Sequence, residues 1–190
     1  MKLQITNFEE TGLEAVSSWL DRNNISELEE DTLREALKTV NISFIAENIT
    51  RLQSTLLCEL KDSYVQQSQR YVDMKEDAYS LPDLEAQDEQ QAEKLINQAF
   101  ELYDKMSELK EETTSGRPQI DDYKHGIPIE DARYILPLAT KTNISVAMTG
   151  NKLYDLFKLL HNPKHKTVFR QFRNQIKQNL PDSLVEILPT

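Results

Sequence analysis

From Lys2 to Phe8 the chain alternates Leu3 and Ile5 with polar residues, a period of two that predicts a short strand. Leu13, Val16 and Leu20 follow at helical spacing and predict a helix. Ser26 and Glu29 stand at capping-box spacing ahead of Leu33, Ala36, Leu37 and Val40, so a second helix is expected through the thirties. Ile42-Ser43-Phe44-Ile45 is short, β-branched and aromatic, as a strand requires, and Ile49, Leu52, Leu56 and Leu57 return to the helical period. The predicted order is β-α-α-β-α.

The clearest periodicity lies mid-chain. Ala92, Leu95, Ile96, Ala99, Leu102, Tyr103, Met106 and Leu109 recur at three and four and predict one long helix that buries this stripe. From Asp83 to Glu112 there are ten acidic and three basic residues, 3 − 10 = −7, so the opposite face is either solvated or an acidic docking surface. Thr113 to Pro118 reads as a loop separating two parts of a single domain, residues 1–190. Beyond it the pattern predicts a short helix over Glu130–Leu136, a strand over Asn143–Met148 and a helix capped by Thr149 with Leu153, Leu156, Phe157 and Leu160 on one face. A last helix carries Val168, Phe169, Phe172, Ile176 and Leu180. Its Lys164, His165, Lys166, Arg170, Arg173 and Lys177 form a basic stripe, suited to an anionic ligand, an acidic neighbouring subunit or solvent.

The 38% hydrophobic and 28% charged residues, with 4 Gly and 7 Pro, provide a core and exclude collagen-like or disordered chains. A formal net charge of −10 repels phosphodiester backbones, so nucleic acid is not an expected partner. Cys58 is the single cysteine, which excludes an internal disulfide and suits a reducing compartment; with no apolar run of spanning length, a cytoplasmic protein without membrane contact is expected. The Asn-x-Ser/Thr triplets at Asn24, Asn41, Asn48 and Asn143 then read as chance. Among His125, His161 and His165 only the last two have i,i+4 spacing, and Pro163 between them breaks the helix, so no metal site is predicted. The absence of GxGxxG, phosphate-loop and GxSxG motifs excludes the usual nucleotide-loop enzymes and hydrolases.

Two stretches place polar and cationic groups in apolar settings. Ser63-Tyr64-Val65-Gln66-Gln67-Ser68-Gln69-Arg70-Tyr71 is dense in donors and acceptors and suits a polar ligand. Ile129 to Leu138 sets Arg133 directly before an apolar run. Arg70 and Arg133 are either a joint phosphate clamp, for which the guanidinium fork is well shaped, or two salt-bridged arginines.

On these residues the chain resembles the flavin-dependent thymidylate synthases, the thymidylate-synthase-complementing family. The family signature reads Arg-His-Arg-x-x-Ser-x-x-x-x-Ser-x-Arg-Tyr, and Ser63, Ser68, Arg70 and Tyr71 match its second half. Asp131 to Asn143 is similar to the family segment in which an arginine precedes Leu-Pro, and Phe44 to Arg51 is weakly similar to the strand and helix leading into the signature. The resemblance implies an α+β fold, a mixed or antiparallel sheet flanked by helices, and a homotetramer with shared sites. It implies reductive methylation of dUMP or a related pyrimidine nucleotide at C5, with FAD as cofactor and NADPH and methylenetetrahydrofolate as substrates, and without a protein nucleophile. It places Gln66, Ser68, Arg70 and Arg133 at the nucleotide and Ser63, Asn151 and Asp155 at the cofactor.

The chain also departs from the family. Cys58, Glu59 and Leu60 stand where the signature has Arg-His-Arg, and an acid near a flavin diphosphate is repelled by it. Thr149, Asn151, Asp155 and Leu160 stand where the late helix of the family reads Asn-x-Arg, Asn and Arg. Leu160 thereby lacks the cation that in the family stabilises charge on the pyrimidine. A catalytically degenerate homologue that binds a nucleotide or serves as an oligomeric scaffold is the alternative, and an enzyme for another nucleotide or one-carbon carrier is a third.

Overall fold

Strand β1 (Lys2–Phe8) pairs antiparallel with β2 (Asn41–Thr50), setting Leu3 opposite Ala46 and Ile5 opposite Phe44, with an irregularity between Ile5 and Asn7. The computed structural model describes residues 1–22, 30–70, 72–75, 77–111, 116–161 and 166–189. Between the two strands lie helices α1 (Glu10–Arg22) and α2 (Glu30–Leu37); the predicted Ser26–Glu29 cap falls outside the described residues. The β-α-α-β-α order is present.

Strand β2 runs five residues beyond the predicted Ile45, and Ile49 belongs to it rather than to the next helix. The switch from strand to helix is made by Thr50. Its hydroxyl accepts from the Gln53 amide at 3.2 Å while the Gln53 side chain accepts from the Thr50 amide at 2.8 Å, a capping box that starts α3 (Arg51–Leu60).

Strand β3 (Ser63–Gln66) pairs antiparallel with β4 (Lys141–Thr149), and the four-stranded sheet has the order β1-β2-β4-β3. The architecture is α+β, a sheet flanked by helices. Ile144, Val146 and Met148 alternate inward from β4, as the period of two requires. Helix α6 (Gly150–Leu160) follows β4 directly, then α7 (Lys166–Lys177) and α8 (Asp182–Val185). Leu153, Leu156, Phe157 and Leu160 of α6 are all buried with Phe44, Ile49, Leu57 and Phe172 in one core. Gly150 is required at the entry to α6, because a Cβ there would lie 2.9 Å from the Leu37 carbonyl oxygen.

The chain forms two compact units: Met1–Gln66 with Asn143–Thr190, and Gln67–Thr142. The division therefore falls at the two ends of the 67–142 segment and not at the predicted 113–118 loop, whose residues 113–115 lie outside the described set.

The second unit is built on α4 (Ala86–Met106) and the short α5 (Ile129–Ala132), which continues into a 3-10 turn over Arg133–Ile135. Its core is Met74, Ile96, Phe100, Tyr103, Ala132 and Leu136. The long helix is where it was expected, but the buried stripe is not. Ile96, Phe100 and Tyr103 face inward, whereas Leu95 and Leu102 are 66% and 44% exposed. Leu109 lies past the helix end and bridges Tyr123.

Candidate functional site

The arginines of the second unit meet at Glu130, two on its carboxylate and one on its backbone carbonyl. Glu130, in the first turn of α5, accepts through Oε2 from Arg70 Nη2 at 3.5 Å and from Arg117 Nη2 at closer range. Arg133, at the end of the same short helix, donates through Nε to the Glu130 backbone carbonyl at 2.8 Å. The Arg117 hydrogen bond, aided by the charge of Arg70, holds the Glu130 carboxyl below the usual carboxylate range. Arg70 reaches the Glu130 side chain and Arg133 its backbone. For Arg70 that contact is the salt bridge of the other reading.

Ser68 stands two residues before Arg70 and accepts from the Arg70 amide at 3.2 Å, a local turn that fixes where the arginine leaves the chain. Thr142 Oγ1 donates to the Gln67 carbonyl at 3.2 Å and secures the same segment. Tyr71 lies outside the described residues. Arg70 and Arg117 line a cavity of about 580 Å³, with Asp73, Lys75, Asp104 and Glu108 among its other walls. The acids there are largely neutralised in place: Lys75 pairs with Asp73 at 2.5 Å and Lys124 with Glu108. Tyr103 is fully buried beside the cavity residue Asp73, donating to Asp73 Oδ1 at 3.2 Å; burial foremost, then the Asp73 charge, pushes its phenol far above the ordinary range.

In the first unit the remaining candidates lie on β3 and α6. Ser63 is exposed at the start of β3, opposite Ala147. Gln66 ends that strand with its amide turned to Ser54 Oγ at 2.8 Å and within 3.7 Å of Cys58 Sγ, so its hydrogen bonds are made inside this unit. Burial pushes the Cys58 thiol up, leaving it a protonated donor rather than a nucleophile. Asn151 Oδ1 accepts from Thr149 Oγ1 at 2.6 Å, which leaves its NH2 group as the donor available to a ligand. Asp155 is bound by Arg34 of α2 at 2.8 Å.

Four cations outside the predicted set join these groups. Arg34 and Arg117 have no motif, and only the fold sets them against Asp155 and Glu130. Lys61 and Lys152 are different, since each stands one residue past a position where the family has arginine. Lys152 pairs with Asp62 and donates to the Lys61 carbonyl at 3.1 Å, while Lys61 lies 4.6 Å over the Tyr64 ring. The Lys152 hydrogen bond first, then the Thr149 amide at 2.8 Å, lower the Asp62 carboxyl. Leu160 is 2% exposed in the core and offers nothing to a ligand. Among the described residues no cluster of three or more His, Cys, Asp or Glu could hold a metal ion, and no helix is long and apolar enough to cross a membrane.

The fold and the family are found among known proteins. The structure is similar to Helicobacter pylori thymidylate synthase X solved with FAD and dUMP, with a TM-score of 0.68 at 14% identity over 99% of this chain and 97% of that one, a likeness of fold. The flavin-dependent thymidylate synthase of Sulfurisphaera tokodaii is 31% identical over 121 residues, 62% of this chain and 41% of that protein. The Geobacter sulfurreducens enzyme of the same name is 33% identical over 129 residues, 66% of this chain and 50% of that protein. The chain thus spans half or less of the length of these curated relatives. The family model described as thymidylate synthase complementing protein matches residues 9–182, nearly the whole chain. With the second half of the signature intact and the family model matching nearly throughout, the chain belongs to the thymidylate synthase complementing protein family.

Proposed function

We propose that this chain carries out the chemistry for which its relatives are named, the reductive methylation of dUMP at C5 with methylenetetrahydrofolate as carbon source. The observation that carries the reading is the convergence of Arg70 and Arg133 on Glu130, within a chain matched almost throughout by the family model. Arg70 and Arg133 hold the phosphate and Ser68 sets the Arg70 backbone. Gln66 instead braces the Ser54–Cys58 face of α3 within the first unit.

The first unit has a donor set that fits FAD: the Lys61 and Lys152 ammoniums, the exposed Ser63 hydroxyl and the Asn151 NH2. Lys61, one residue past that motif, supplies positive charge that Cys58-Glu59-Leu60 do not, while Lys152 shares its charge with Asp62. When bound, FAD supplies the hydride of the reaction. Asp155, neutralised by Arg34, presents no net repulsion to an anionic cofactor. NADPH serves as reductant, the site is cytoplasmic, and a homotetramer buries the exposed Leu95 and Leu102 of α4.

One observation favours a second reading. Leu160 is packed in the core at the position of the family's pyrimidine-stabilising arginine, so a chain that binds nucleotide without turnover follows if no other cation takes that role. Calorimetric titration of dUMP into Arg70→Ala and Arg133→Ala tests the pocket common to both readings. Each variant should lose about 1.5–3 kcal/mol of binding, the range for a charge-assisted hydrogen bond. Unchanged binding in both removes the pocket. Formation of dTMP by the unaltered protein separates enzyme from binding protein.

A further inference from the structure

Arg117 belongs to no motif and to none of the roles given above, yet it is the closest partner of Glu130. A single carboxylate oxygen, Oε2, takes one donor from Arg117 and one from Arg70, so the two guanidiniums already flank a volume the size of one anionic oxygen. Both arginines line the same cavity of about 580 Å³. Elsewhere on that wall Lys75 pairs with Asp73, and Glu108 is held by Lys124.

We propose that Arg70 and Arg117 form the two arms of a phosphate fork, with Glu130 as the internal anion that a phosphate monoester displaces. The proposal rests on the nucleotide-binding reading for the identity of the ligand, a nucleoside monophosphate, and adds to it a residue and an exchange. A phosphate monoester carries more charge than a carboxylate and offers three oxygens to the fork, so it binds two guanidiniums more strongly than Glu130 does. The Glu130 side chain is 30% exposed and its arginine partners about half exposed, and ion pairs this open are weak enough to exchange. Leu109, Pro118 and Ile129 give the cavity an apolar wall for the rest of the ligand.

The test titrates inorganic phosphate and dUMP separately into the unaltered protein and into Arg117→Ala, Arg117→Lys and Glu130→Gln. Thermal melting checks that each variant folds. Arg117→Ala should weaken both ligands about ten-fold or more, with partial recovery in Arg117→Lys. Glu130→Gln removes the competing charge while keeping the shape, and should bind both ligands several-fold more tightly. Unchanged affinity in Arg117→Ala, or weaker affinity in Glu130→Gln, overturns the fork. Loss of dUMP binding on replacing Arg70 but not Arg117 overturns it and leaves the nucleotide reading standing. Phosphate binding that follows the predicted order, without any binding of dUMP, keeps the fork and removes the pyrimidine nucleotide. Binding of neither ligand to the unaltered protein overturns both.

Discussion

Replacing Leu160 by arginine restores the residue type of the family at a position that this fold has closed. Leu160 is the last residue of α6, 2% exposed and packed in the first-unit core with Leu153, Leu156 and Phe157. Removing a buried leucine forfeits about 1.5–3 kcal/mol of burial. An unpaired guanidinium in its place adds a desolvation cost of up to about 3–5 kcal/mol, reduced where the long side chain reaches solvent. The helix C-terminus returns about 0.3–1 kcal/mol to a cation. The balance is a loss of about 4 kcal/mol, a large part of the 5–15 kcal/mol typical of a whole domain. Urea unfolding followed by far-ultraviolet circular dichroism reads this loss as a lower midpoint with an unchanged slope. Leu160→Met, which conserves volume, should cost less than about 1.5 kcal/mol. An arginine variant within about 1 kcal/mol of the parent that also raises dTMP formation would instead show that position 160 opens onto the ligand.

The remaining predictions concern the packing and charge that hold the two sites. Gly150→Ala meets the Leu37 carbonyl oxygen at 2.9 Å and the Leu37 and Val40 Cβ atoms at 3.3 Å; overpacking of about 1–3 kcal/mol exceeds the 0.4–1 kcal/mol gained from the unfolded chain, and denaturant midpoints should fall. Tyr103→Phe deletes a hydroxyl bonded to Asp73 and to the Met74 amide while leaving the ring packed, so a loss of about 1 kcal/mol is expected by thermal unfolding. Because the folded-state pKa of Asp62 is lowered, its contribution is complete above the unfolded carboxylate value near about pH 4 and is lost as pH falls through the folded value. The stability difference between the parent and Asp62→Asn should therefore be constant near neutrality and shrink in acid, and a difference that instead grows in acid contradicts the assignment.

Much of the first unit is legible in the chain because its elements bury one face. Ile144, Val146 and Met148 show the period of two, and Leu153, Leu156, Phe157 and Leu160 the helical one, and all seven are buried. β3 escaped because Ser63 to Val65 are exposed and the strand is held by its backbone pairing with β4, which leaves no hydrophobic alternation to read. At the end of β2 the capping-box signal of Thr50 and Gln53 competes with Ile49, which also suits a helical period. On α4 every apolar position was placed on one stripe, but a helix of 21 residues has more apolar surface than this unit covers, and Leu95 and Leu102 stay outside. At the candidate site the motif residues Ser68, Arg70 and Arg133 were readable. Their counter-charge was not, since Glu130 lies 60 residues from Arg70 and only the fold brings them together.

The measurement that bears most directly on the account is titration of the purified protein with FAD and with dUMP, monitored by calorimetry and by the visible absorbance of bound flavin. Saturable binding of both ligands, with an absorbance band in the visible that stays with the protein on desalting, is the predicted result. Binding of neither would contradict the assignment of Arg70 and Arg133 to a nucleotide and of Lys61, Lys152, Ser63 and Asn151 to a flavin.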